Sequence, residues 1–127
     1  MKPLPSVSII VPAFNEEAVI AQCLEAIVRQ TVPATEVLVV DNRSTDGTRA
    51  VVERFIAEHP GSGIRLLRQD ERQGLVPTRN LGMDAATGDV LGRIDADTAI
   101  KPDWVAQVSR VFASGEVDAA SGPVEYY

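Results

Sequence analysis

The chain is predicted to adopt an α/β fold, a mainly parallel sheet with helices on both faces joined by right-handed crossovers. Three observations predict it. Strand-like and helix-like stretches alternate along all 127 residues. The strand-like stretches are largely continuous apolar runs, as strands covered on both faces are. Polar side chains gather in the loops that follow those runs, leaving the strand interiors apolar. At this length the chain is one domain, residues 1–127, able to bury a real core without disulfides.

Each element has a local reason. Val7–Val11 is a β-rich apolar run closed by Pro12. From Glu16 to Gln30, apolar residues recur at Val19/Ile20, Cys23/Leu24 and Ile27/Val28, a helical stripe. Asn15 suits its N-cap, and Glu16 and Glu17 suit the positive end of its dipole. Glu36–Val40 is the second strand. Asp46 can cap a second helix, Gly47–Glu58. His59 ends that helix as a surface histidine beside the loop at Pro60. Ile64–Leu67 is a short third strand. Gly74–Ala86 reads as a third helix, with Pro77 tolerable in its first turns and Gly88 suited to its C-terminal cap. Asp89–Ile94 is the fourth strand. Pro102 opens a fourth helix running to about Ala113, with Trp104 on its core side. Val117–Val124 reads as one more strand. The chain ends beside it with no closing helix, which is expected of a chain cut short.

Composition narrows the function. The hydrophobic fraction is 45%, too high for disorder. A net charge of −6 argues against a nucleic-acid partner, which needs a basic surface. A polyanion could still be held through a metal and a few arginines. Cys23 is the single cysteine, so no internal disulfide forms, and its place on the apolar stripe predicts a buried, inert thiol. No apolar run approaches the roughly 18 residues of a membrane span, and the start lacks a signal-peptide apolar region.

The most informative motif is Asp95-Ala96-Asp97, directly after the fourth strand. In extended geometry residues i and i+2 point to one side. Both carboxylates then face a point beyond the strand end, where open α/β sheets bind ligands. Two such anions repel unless a cation is near, and Mg²⁺ or Mn²⁺ prefers oxygen ligands. The first loop lacks Gly-x-Gly-x-x-Gly, and no Gly-x-x-x-x-Gly-Lys-Ser/Thr occurs, so neither a dinucleotide cradle nor a P-loop is supported. A bound phosphate must then rest on metal and arginine, with Arg79 on the third helix a candidate for a bidentate contact.

Four stretches lie in the loops at one edge of the predicted sheet. They are Val7 through Glu17, Val39 through Thr48, Gly74 through Asn80, and Ile94-Asp95-Ala96-Asp97. Together they resemble the corresponding loops of family-2 glycosyltransferases with the GT-A nucleotide-sugar-binding fold. The resemblance spans nearly the whole chain. It implies a donor site in which Pro12, Phe14, Glu16 and Asp41 line nucleobase and ribose. Asp95 would contact the ribose or metal-bound water, and Asp97 would ligate Mn²⁺ or Mg²⁺ at the diphosphate. Arg79 matches an Ala-Arg-Asn position, with Thr78 in place of Ala. Thr98 stands where a third Asp is frequent.

The implied partners are a nucleoside-diphosphate sugar, UDP-linked by preference and GDP-linked as the alternative, and an acceptor glycan or lipid-linked acceptor. The implied chemistry is transfer to an acceptor hydroxyl with inversion. The base for that step comes, in such enzymes, from a carboxylate well C-terminal to the Asp-x-Asp. Glu116, Asp118 and Glu125 lack the context for it. The expectation is therefore a donor half without its acceptor part, inactive in transfer by itself. The expected location is cytoplasmic, with membrane association through sequence beyond this chain left as the alternative. The main rival is a non-catalytic module that binds nucleotide-sugar or metal. A nucleotidyltransferase is disfavoured by the first loop. A glycosidase is disfavoured because its carboxylates must flank a sugar from opposite sides.

Overall fold

A computed structural model describes residues 4–113 of the chain. The elements are β1 (Val7–Ala13), α1 (Ile20–Val28), β2 (Glu36–Asp41), α2 (Thr48–Glu58), β3 (Ile64–Arg68), α3 (Leu75–Ala85), β4 (Val90–Arg93) and α4 (Trp104–Ala113). The predicted strand Val117–Val124 lies outside the described residues, as do Glu116, Asp118 and Glu125. The four strands form one all-parallel sheet in the order β3-β2-β1-β4.

The sheet's two faces are covered unequally. Val7, Ile9, Val11 and Ala13 of β1 join Val37 and Val39 of β2 in a core filled by Leu24 and Ile27 of α1, Val52 and Phe55 of α2 and Trp104 of α4. The opposite face carries α3. There Gly82 lies so close to the sheet that a Cβ would stand 2.6 Å from Ile10 Cγ2 and 3.2 Å from Val40 Cγ2. Cys23 and Trp104 are buried, as expected. Burial pushes the Cys23 thiol up to about 12, with help from the negative charges of Asp97, Asp95 and Glu16. His59 is half-buried, stacks on Phe55 and pairs Nδ1 with the Phe55 carbonyl oxygen at 2.9 Å.

Several expected boundaries move, for identifiable reasons. Helix α1 begins at Ile20 rather than Glu16, because Glu16 to Val19 form a turn in which Val19 and Ile20 N–H donate to the Glu16 carbonyl. Asn15 does not cap it. Asn15 has φ 52°, and its Oδ1 accepts from the N–H groups of Thr45 and Asp46 across the next loop. Asp46 does serve α2, accepting from Thr48 N–H at 2.9 Å. Helix α4 starts at Trp104, two residues after Pro102, with Val105 N–H donating to Gln30 Oε1 of the α1 end. Gly88 is not the cap of α3. The cap position is Ala86, and Gly88 is needed instead for close approach, since a Cβ there would meet Ser8 Oγ at 2.5 Å and Ser8 N at 2.8 Å. Among the described residues, no helix is long and apolar enough to cross a membrane.

Candidate functional site

The strand order fixes where a ligand can sit. From β1 the chain steps outward through β2 to β3, then returns to the other side of β1 for β4. The helices that follow β1 and β3 lie on opposite faces of the sheet, α1 on one and α3 on the other, so a crevice opens between their loops at the carboxyl ends of the strands. An open cleft of about 480 Å³ lies there.

One proline shapes its mouth. The β1–β4 ladder runs to the Ile10–Arg93 pair and closes with Ile94 N–H on the Ile10 carbonyl. The next parallel rung would need a backbone N–H from residue 12, which is Pro12 and has none. The β4 chain is released at that point. Asp95-Ala96-Asp97 is consequently a turn after the strand, not the extended continuation expected from sequence, with Thr98 N–H donating to the Asp95 carbonyl at 3.0 Å. Cys23 Sγ also lies 3.6 Å from that carbonyl oxygen. The consequence for the site is the expected one: Ala96 is buried, while Asp95 and Asp97 are exposed and both line the cleft.

The other walls are the first loop, with Pro12, Phe14 and Glu16, then Asn42 after β2, and Gln73 through Leu75 with Thr78 at the start of α3. Phe14 is 49% exposed, an apolar ring at the cleft mouth. Two anticipated residues do not line it. Asp41 is fully buried; its Oδ2 accepts from Ser44 N–H at 3.2 Å and stands 3.6 Å from Arg49 Nε, while its Oδ1 has no partner. Arg79 is half-buried on α3 and makes no ion pair among the described residues. Asn42, Gln73 and Leu75 are cleft residues that the sequence did not single out. Their signal was position alone, since each follows or precedes an element end at the strand-carboxyl edge.

The cleft is strongly anionic. Burial first, then repulsion from Asp97, Asp46 and Asp95, raises the Glu16 carboxyl above its ordinary 4.5. The folded state therefore holds that proton to higher pH than the unfolded chain does. Its contribution to stability is present below 4.5 and is lost as pH rises through the raised value. Glu16→Gln is accordingly expected to raise the melting temperature of the ligand-free chain at neutral pH and to flatten this part of its pH profile. A melting temperature that falls would show the repulsion to be outweighed. Among the described residues, no three metal-ligating side chains are grouped closely enough to hold an ion by themselves. A cation here would need further oxygen ligands from its substrate or from water.

A parallel, switch-point cleft edged by a carboxylate turn defines an α/β protein of nucleotide-binding architecture. The profile of "Glycosyl transferase family 2" matches residues 8–127. The chain is 38% identical over 126 residues to "Glycosyltransferase AglE" of Haloferax volcanii, covering 97% of this chain and 40% of that protein. Its fold matches the mannosyltransferase PcManGT from Pyrobaculum calidifontis, solved in complex with GDP-Man and Mn²⁺. That match has a TM-score of 0.79 and 31% identity over 98% of this chain and 38% of that one. It also matches S. aureus TarS 1-349 in complex with UDP-GlcNAc, with a TM-score of 0.76 and 25% identity over 93% and 37% of the two chains. The chain belongs to glycosyl transferase family 2, with the GT-A fold. It spans about two fifths of the relatives it matches.

Proposed function

We propose that the cleft binds a nucleoside-diphosphate sugar together with Mn²⁺ or Mg²⁺, and that the whole protein transfers the sugar to an acceptor hydroxyl with inversion. The observation that carries this reading is the meeting of the first loop, Asn42, the start of α3 and the Asp95–Asp97 turn around one cleft in a family-2 chain. Similarity to proteins solved with GDP-Man and Mn²⁺ and with UDP-GlcNAc supports it.

The residues fit the roles. Asp97, with Asp95, supplies hard oxygen ligands, and their mutual repulsion with Glu16 is relieved by a cation. A divalent ion held by these carboxylates would supply the positive charge that offsets the charge building on the leaving group. Arg79 stands outside the cleft lining on α3, so in this scheme the cation carries that stabilisation, which matters most in the transition state. Phe14 offers a stacking face for the base, beside Pro12. The family resemblance favours a UDP-linked donor, with a GDP-linked one as the alternative. The acceptor is a glycan or a lipid-linked glycan. Every cleft carboxylate is taken by donor or metal in this scheme, so the acceptor's base belongs to another part of the protein.

Calorimetry of UDP and of GDP, first with Mn²⁺ or Mg²⁺ and then with chelator, tests the proposal. UDP is expected to bind only with the metal, and more tightly than GDP. Equal affinity with and without metal would overturn the cation's role. A transfer assay on the full-length protein, run beside it, separates an enzyme from a binding module.

A further inference from the structure

The third loop, residues 69–74, connects β3 to the cleft wall at α3, and five of its six residues are exposed. Two amides hold it: Gln69, which accepts from the N–H groups of Glu71 and Arg72 and donates to the Pro77 carbonyl, and Asn42, which ties the loop to the strand ends. Asn42 is 3% exposed, and its own N–H donates to the Ala13 carbonyl at the end of β1. Its Nδ2 donates to the carbonyls of Gln69 and Arg72, each at 2.9 Å. Its Oδ1 accepts from Gly74 N–H at 2.8 Å and from Gln73 Nε2 at 3.1 Å. A side-chain amide has two N–H groups and two lone pairs, so Asn42 is saturated. The partners also fix which way the amide points, because two carbonyls need the nitrogen and a backbone N–H needs the oxygen.

Gly74 is the hinge of this arrangement. It adopts φ 131°, where other residues are strained, and it is the last residue before α3. Gly74, Leu75 and Thr78 form one wall of the cleft. Asn42 is the link between that wall and the first loop's strand, since its backbone N–H donates to Ala13 and its side chain holds Gly74.

We propose that Asn42 is a positioning residue of the donor cleft: it sets the α3 wall against the ends of β1 and β2 and acts through the loop, not through a polar contact of its own with the ligand. A saturated amide can bind a ligand only by giving up a loop bond. The inference rests on the donor-site reading above, and its test keeps the two apart.

The experiment compares the intact chain with Asn42→Ala, Asn42→Asp and Glu36→Ala. Glu36 accepts from Ser8 Oγ, Thr87 N–H and Thr87 Oγ1 at the opposite end of the sheet, so it serves as a structural control. Affinity for UDP with Mn²⁺ is read by calorimetry, and amide exchange over residues 69–78 by mass spectrometry. Asn42→Ala is expected to weaken UDP at least tenfold, keep the metal requirement and speed exchange over 69–78. Asn42→Asp retains the acceptor for Gly74 N–H and should fall between wild type and Asn42→Ala in both readouts. Glu36→Ala should lower the melting temperature with UDP affinity intact. Wild-type affinity in Asn42→Ala, or an equal loss in Glu36→Ala, overturns the proposal. If the unaltered chain binds no nucleoside diphosphate, the donor-site reading fails, and the exchange data alone decide: unchanged protection over 69–78 in Asn42→Ala then overturns the positioning role.

Discussion

Asp97→Ala is expected to weaken the proposed metal-dependent UDP binding by a factor on the order of 10² or more, while the ligand-free chain stays folded. Asp97 is exposed, sits in a turn and lines the cleft. None of the observed side-chain hydrogen bonds or ion pairs of the described residues uses its carboxylate, so nothing in the fold is lost with it. What is lost is one of the negative charges that oppose ionisation of Glu16. The melting temperature should hold or rise, and the Glu16 carboxyl should move back toward its ordinary value. Calorimetry and thermal melts on the same sample check both halves. A melting temperature that drops by many degrees would assign Asp97 a structural role instead.

Gly82→Leu is the substitution with the largest expected cost to stability, about 3 kcal/mol or more. In an exposed helix, replacing glycine with a residue that has a side chain gains up to about 1 kcal/mol. Here the sign reverses. Even a Cβ would stand 2.6 Å from Ile10 Cγ2, and Ile10 and Val40 are both fully buried in central strands with nowhere to move. Helix α3 must lift off the sheet, taking the cleft wall of Leu75 and Thr78 with it. Denaturant titration should show a lower midpoint at unchanged slope, and UDP affinity should fall with it. A variant as stable as the parent would mean that α3 does not press on the sheet at this point.

The fold was legible because its signals are local and redundant. Parallel strands buried on both faces leave continuous apolar runs at Val7–Val11 and Glu36–Val40, and amphipathic stripes mark α1 and α2. The carboxylate pair was legible for the same reason, since it follows such a run directly. Less local features were missed. Asn15 looks like an N-cap by spacing, yet it spends its side chain on a loop about thirty residues away. Gly88 looks like a helix cap, yet it answers to Ser8, brought beside it by the β1–β4 pairing. Asp41 and Asn42 are adjacent in a polar loop, and nothing in their order says that one turns inward under the loop and the other holds the cleft wall. These roles depend on which strands are neighbours, and a single sequence does not display that.

The pairing of β1 with β4 has a consequence for how the site comes into being. Ser6 and Asp89 exchange hydrogen bonds at the mouth of that ladder although 83 positions separate them. No hairpin can prepare such a contact; three crossovers must be laid down first, and the entropy of closing so long a span is lost before the ladder returns anything. The first loop and the Asp95–Asp97 turn, which come from its two ends, therefore meet at the last stage of assembly. Nucleotide binding recovered during refolding should consequently trail the return of helical signal, and a ligand for this cleft should slow unfolding without speeding folding.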